Sequence, residues 1–183
     1  MPKIELRTPR ADDESTFLAL VRSSRSLHAG WVSPPSTPTQ FRAYLDRAQQ
    51  ADMACFLVTD RSSGVLCGVV NLSNIVRGAF RSAYMGYYGF APTARQGYML
   101  AGVKAVTRNA FGVLRLHRVE ANIQPGNVAS IALVRSCGFA LEGYSPRYLK
   151  IGGRVVYRLE DIEAFEKAQI KKAGQQLTDA GCE

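Results

Sequence analysis

The chain is poor in the residues that build metal sites and disulfide frameworks: it has four cysteines among 183 residues and two histidines. Cys55, Cys67, Cys137 and Cys182 form no C-x-x-C pair, and His28 and His117 stand far apart, so neither zinc spacing nor a disulfide ladder is visible. The cysteines read as reduced thiols, and the expected setting is the cytoplasm. Nowhere do about 18 uncharged apolar residues run together. Residues 1–7 alternate polar and apolar side chains without an apolar signal core, so neither secretion nor membrane spanning is expected. Internal repeats and low-complexity segments are missing. The longest basic run is Lys171-Lys172, which leaves no arm or tail for a polyanion.

What is present is an ordinary globular composition, 46% apolar and 21% charged, in a chain long enough to bury a core without staples. Basic residues outnumber acidic ones by 23 to 15, giving a net charge of +8. That balance favours polyanionic partners such as phosphate-bearing cofactors, nucleic acid or ribosomal surfaces, without choosing among them. A solvated basic surface is the plain alternative.

Residues 3–7 alternate like an edge strand, and Asp12, Asp13 and Glu14 then sit where a helix N-terminus favours acid. One helix is expected from there to Gly30, with Phe17, Leu18, Leu20, Val21 and Leu27 on its apolar face. Thr37-Pro38-Thr39-Gln40 looks like a capped start for a second helix reaching about Gln50. Residues 55–59 and 65–72 make a hairpin across a polar turn, and residues 82–90 add a strand. The spacing predicts a helix over 96–112, a strand over 118–123, a helix over 128–136, and a strand from Phe139 toward a hairpin at Gly152-Gly153. A helix and polar tail over 161–183 close the chain. The order predicts an α/β (α+β) single domain over 1–160, with a mixed, mostly antiparallel sheet between helices.

Two stretches carry chemistry. In residues 85–99 a strand feeds a loop and then a helix, which presents unpaired N–H groups at a positive dipole end and suits a pyrophosphate. Gly97 allows close approach of a ligand, and Arg95 adds charge. The second stretch is Gln124-Pro125-Gly126-Asn127-Val128-Ala129-Ser130, followed by Cys137-Gly138-Phe139.

The order of these motifs, with the L-x-x-H-R-x-E-A strand between them, resembles the GNAT superfamily of acetyl-CoA-dependent N-acetyltransferases. Residues 114–143 look most like the RimJ/RimL branch, whose members acetylate N-terminal amines of ribosomal proteins. The resemblance covers about residues 4–160 and includes the Trp31-x-x-Pro34 loop. It implies about seven strands splayed between the fourth and fifth, acetyl-CoA as donor, and no metal.

By the same resemblance, Phe90 and Ala91 would meet the pantetheine through backbone hydrogen bonds, and Arg95, Gln96, Gly97, Tyr98 and Met99 would hold the pyrophosphate. Asn127 would bond the pantetheine arm, and Ser130 would approach the thioester sulfur. The family pattern Q/R-x-x-G-x-G/A is met here only at its second glycine, Gly97; Pro92 and Arg95 stand at the other positions. The tyrosine that many members carry seven residues after the asparagine is Val134 here. Ser130 is then a candidate proton donor to the departing thiolate, with helix packing as its plain alternative.

Glu120 and Asn122 share a strand face near where the superfamily keeps a glutamate working through water, so Glu120 is the candidate base. A structural ion pair with Arg118 or Arg135 is its alternative, and His117 reads as structural. Trp31 is a candidate wall of the acceptor pocket. Tyr87 and Tyr88 point to opposite faces, one toward the acetyl channel and one toward the core. An α-amine with pKa near 8 costs under about 1 kcal/mol to deprotonate at pH 7.5, against about 4 for a lysine. The few candidate bases thus fit a protein or peptide N-terminus, ribosomal proteins included, better than a lysine. A small-molecule amine and a non-enzymatic RNA- or ribosome-binding role are the rival readings. Nucleic-acid contact would be incidental to the first, and a homodimer is compatible with it.

Overall fold

The computed structural model describes residues 2–143 in full and the backbone of residues 149–151 and 154–156. The expected helix and tail over 161–183 lie outside the described residues. The chain divides into two compact units, Met1–Ala140 and Leu141–Glu183.

The first unit is built on a five-stranded mixed sheet in the order β1-β2-β3-β4-β5. Its strands are β1 (Ile4–Arg7), β2 (Ala54–Asp60), β3 (Leu66–Val76), β4 (Ser82–Gly89) and β5 (Arg118–Glu120). The first four run antiparallel to their neighbours and β5 runs parallel to β4. Pairing of β5 stops after Ser82, Ala83 and Tyr84, so β4 continues to Gly89 with that edge unpaired by β5. This matches the expected splay. The sheet has five strands where about seven were expected; β6 (Leu149–Ile151) and β7 (Arg154–Val156) form a separate antiparallel hairpin within the second unit.

The helices are α1 (Glu14–Ser23), α2 (Arg25–His28), α3 (Pro38–Ala48), α4 (Tyr98–Gly112) and α5 (Val128–Ser136). Capping explains α3: Thr37 Oγ1 accepts the Gln40 N–H at 3.2 Å and Pro38 opens the first turn. The single helix expected up to Gly30 is broken at Ser24, which leaves the helical region at φ −103° and ψ 11°. Ser24 is fully buried there, and its hydroxyl accepts the Ala91 N–H at 2.9 Å, a tertiary bond that no local pattern announces.

The strand expected from Phe139 is not observed over residues 139–143. Instead Gly138, at φ +93°, closes α5: its N–H reaches Arg135 O at 3.0 Å, and Phe139 N–H reaches Val134 O at 3.1 Å. The amide that a strand would have used is spent on the helix cap.

Apolar residues cover both faces of the sheet. Phe17, Phe41, Leu57, Val69 and Phe90 pack on the side of α1 and α3, while Val58, Val70, Met85, Val103 and Val106 pack on the side of α4. Gly102 lets α4 sit against β2, since a Cβ there would lie 2.7 Å from Val58 Cγ2. The splayed edge of β4 and the first turns of α4 and α5 are thereby held in one unit.

Candidate active site

Phe90 N–H donates to Cys67 O at 2.9 Å, which sets the phase of the β3–β4 ladder. By alternation the polar groups of Gly86 and Tyr88 face β3, and those of Met85, Tyr87 and Gly89 face the opposite edge, where β5 has diverged. Phe90 and Ala91, the residues expected to offer hydrogen bonds to a pantetheine, have their N–H groups engaged inside the protein, on Cys67 O and Ser24 Oγ. Their carbonyls accept from Thr93 and Ala94. The open backbone groups lie one to three residues earlier, at Tyr87 and the Gly89 N–H. His28 Nε2 donates to the Gly89 carbonyl at 2.8 Å.

The loop after β4 ends in two left-handed residues, Arg95 at φ +61° and Gly97 at φ +85°. Arg95 thus occupies a conformation that glycine adopts without strain, at the position where the family pattern has its first glycine. Among the described residues the N–H groups of residues 96–100 have no acceptor. Arg95 and Gln96 are exposed. Gln96 folds its side chain back to Pro92 O at 3.1 Å. The side chains of Tyr98 and Met99 serve the fold. Tyr98 Oη donates to Asp60 Oδ2 at 2.8 Å, and Met99 lies over Gly68 and Gly89.

At the start of α5 Asn127 Oδ1 accepts the Ser130 N–H at 3.1 Å, so half of the Asn127 amide caps its own helix. Its Nδ2 has no partner among the described residues and is free to donate. Ser130 is reached from β4 by Tyr87, whose Oη lies 2.5 Å from Ser130 Oγ and 3.0 Å from Ser130 O. Burial pushes the Tyr87 phenol up to about 12, against the opposing effect of its bond to Ser130. Val134 is buried in the core one turn further on.

Tyr87 and Tyr88 face opposite sides of β4, as expected. Tyr87 packs on the α4 side, and Tyr88 lies edge-on to His28 and Phe90, with ring centroids 5.4 and 5.9 Å away. Tyr88 Oη and His28 Nδ1 are buried and have no hydrogen-bond partner among the described residues. Such groups are costly unless something polar reaches them. Trp31 follows α2 and stays 41% exposed, with its ring edge 3.3 Å from where a Gly126 Cβ would be. It therefore spans to the loop that leads into Asn127. Glu120 Oε1 accepts from Arg118 Nε at 2.8 Å, the same-strand ion pair that stood as its alternative role.

Three residues escaped the sequence reading: Ser24, His28 and Asp60 hold Ala91, Gly89 and Tyr98 in place. Only Asp60, in an Asp-x-Ser-Ser-Gly turn, carried a local signal, and it marked a turn and not its partner. Residues 61–119 contain no Asp or Glu while holding eight Lys or Arg, so the cradle is built in a stretch of uniformly positive charge. A cleft of about 380 Å³ between the β1–α1 connection and α3 includes none of the motif residues.

A splayed β4 edge, a loop leading to the amides of residues 96–100 and a capped α5 define the acetyltransferase fold, and residues 3–140 match the Acetyltransferase (GNAT) domain family. The chain belongs to that family. It is 34% identical over 106 residues to the [Ribosomal protein uS5]-alanine N-acetyltransferase of Escherichia coli (strain K12), covering 58% of this chain and 55% of the relative. It is 32% identical over 115 residues to the "Probable N-acetyltransferase YjcK" of Bacillus subtilis (strain 168), covering 63% of this chain and 62% of that one. The chain thus spans less than two thirds of the length of these curated relatives. Among solved structures, Mycobacterium smegmatis RimJ in complex with CoA-disulfide superposes with a TM-score of 0.73 at 25% identity, over 82% of this chain and 76% of that one. A spermidine N-acetyltransferase from Vibrio cholerae, in complex with CoA and spermine, gives 0.69 at 21% identity over 82% and 89%, a likeness of fold.

Proposed function

We propose that the chain transfers acetyl from acetyl-CoA to the α-amine of a protein or peptide N-terminus. Family membership and the ribosomal-protein acetyltransferase relative support the reaction class. The residues present fit the donor. The N–H groups of residues 96–100 have no acceptor within the described chain, Gly97 opens the backbone to them, and Arg95 and the carboxylate-free stretch 61–119 add positive charge for phosphates. The open backbone groups of Tyr87, the Gly89 N–H and the free Nδ2 of Asn127 suit the amide groups of a pantetheine arm. CoA supplies the thioester, and the protein supplies position and dipoles.

The observation that carries the choice of acceptor is the 34% identity to a [Ribosomal protein uS5]-alanine N-acetyltransferase. A polyamine brings several positive charges, which the net charge of +8 opposes. A peptide terminus brings one amine and a polar backbone. Trp31 supplies a half-exposed wall. Glu120 serves as base through water, and Ser130 as donor to the sulfur. The three described cysteines are free thiols, in keeping with a cytoplasmic setting.

The test is an acceptor panel read by mass spectrometry: peptides beginning Ala or Ser, the same peptides with blocked α-amines and a free lysine, spermidine, and an aminoglycoside. Turnover confined to free α-amines is expected. Turnover of spermidine without turnover of the peptides overturns the acceptor, and no CoA release with any amine overturns the reaction.

A further inference from the structure

The α5 helix of this chain has a buried valine, Val134, at the position where the resemblance implies a tyrosine, yet a phenol still arrives at the first turn of α5, from a different strand. Tyr87 on β4 reaches Ser130 through two contacts, 2.5 Å to Oγ and 3.0 Å to the backbone carbonyl. We propose that Tyr87 is a positioning residue that sets the direction of the Ser130 hydroxyl proton and so makes serine the donor to the sulfur released from acetyl-CoA. This inference rests on the acetyltransferase reading and on Ser130 facing the sulfur.

Tyr87 has one O–H, and two oxygens of Ser130 compete for it. When the phenol donates to the carbonyl, the short contact to Oγ is filled by Ser130 O–H donating back, and the serine proton points inward. When the phenol donates to Oγ, the serine proton turns outward. A sulfur that gains negative charge favours the second arrangement, since a charge-assisted bond is about twice as strong as a neutral one.

The phenol keeps its proton through this exchange, because its desolvated site holds it up to about 12. The Ser130 backbone is held in place by the bond of its N–H to Asn127 Oδ1 at 3.1 Å. In the transfer itself the amine nitrogen bonds to the acetyl carbon, the carbon–sulfur bond breaks with its electron pair on sulfur, and the sulfur takes a proton. The amine loses one proton to solvent or to a base, so charge balances with Tyr87 and Ser130 unchanged after Ser130 is refilled from water.

The first test reads binding without turnover. Affinity of CoA relative to desulfo-CoA, which lacks the thiol, is measured by calorimetry at pH 7 and pH 9.5. A donor aimed at the sulfur favours the thiolate, so the CoA preference of the unaltered protein rises with pH by roughly tenfold. In Tyr87→Phe and in Ser130→Ala the preference stays flat. The second test is a cycle on kcat: Tyr87→Phe alone lowers kcat about tenfold with KM for acetyl-CoA unchanged, and has no further effect in the Ser130→Ala background. A pH-dependent preference retained in Tyr87→Phe but lost in Ser130→Ala overturns the role of Tyr87 alone. A preference retained in Ser130→Ala overturns the placement of the sulfur, and losses that add in the double variant assign Tyr87 to structure.

Discussion

Tyr98 Oη donates to Asp60 Oδ2 at 2.8 Å, which ties the first turn of α4 to the end of β2. The same carboxylate accepts from the N–H and hydroxyl of both Ser62 and Ser63. These donors, Ser62 first, then Ser63 and Tyr98, hold the Asp60 carboxyl well below the usual carboxylate range. The helix mouth that carries the amides of residues 96–100 thus leans on one anionic turn.

A pH dependence follows from that turn. A depressed folded pKa contributes stability that is present above the unfolded value, near 3.9, and is lost as pH falls through the folded one. The thermal midpoint of Asp60→Asn is expected several degrees below that of the unaltered chain at pH 7, with the gap closing below about pH 4. Circular dichroism melts at pH 7, 5, 4 and 3 check it; a gap independent of pH contradicts the assignment.

Packing under Met99 separates two glycines. A Cβ at Gly89 would lie 2.9 Å from Met99 Cγ, a flexible side chain, whereas at Gly68 it would also lie 2.7 Å from the backbone carbonyl of Tyr88. Gly89→Ala is expected to cost about 1–3 kcal/mol and to be partly rescued by Met99→Ala; Gly68→Ala should cost more and resist rescue. Urea titrations of the three single variants and the two double variants with Met99→Ala measure both.

Arg95 gives a prediction with two opposite readouts. Its φ of +61° carries about 1–2 kcal/mol of strain, of which glycine would return part after its own greater chain entropy. Arg95→Gly should therefore melt slightly higher while binding CoA several-fold more weakly, with a shallower salt dependence. Unchanged CoA affinity would place the guanidinium in solvent.

Glu120→Gln tests the base through the acceptor's own titration. An α-amine with pKa near 8 is mostly protonated at pH 7 and about nine-tenths free at pH 9. The variant's deficit in kcat/KM should be about tenfold at pH 7 and shrink toward unity at pH 9. A deficit constant across this range leaves Glu120 as the partner of Arg118.

The parts of the fold legible in the sequence are those set by local chemistry. Thr37-Pro38 announced α3, the polar turn after Asp60 announced the β2–β3 hairpin, and the 3.6-residue spacing of Met99, Val103 and Val106 announced α4. What stayed hidden depended on partners far along the chain. Ser24 breaks a helix that its neighbours would have continued, because Ala91, 67 residues away, needs an acceptor. Phe139 reads as strand until Gly138 claims its amide for a cap. In the candidate site, Gly97 and Asn127 stand in motifs visible in the sequence. The internal acceptors of the Phe90 and Ala91 amides were not visible, since the β3–β4 phase that turns Tyr87 and the Gly89 N–H away from β3 is a property of pairing and leaves no trace in residue type.

The chain leaving β4 is pinned three times over: His28 holds the carbonyl of Gly89, Cys67 takes the amide of Phe90, and Ser24 takes the amide of Ala91. Everything downstream is measured from that nailed point. Lengthening or shortening residues 92–96 has nowhere to relax backward, so each inserted residue swings the mouth of α4 relative to β4 like the free end of a ruler.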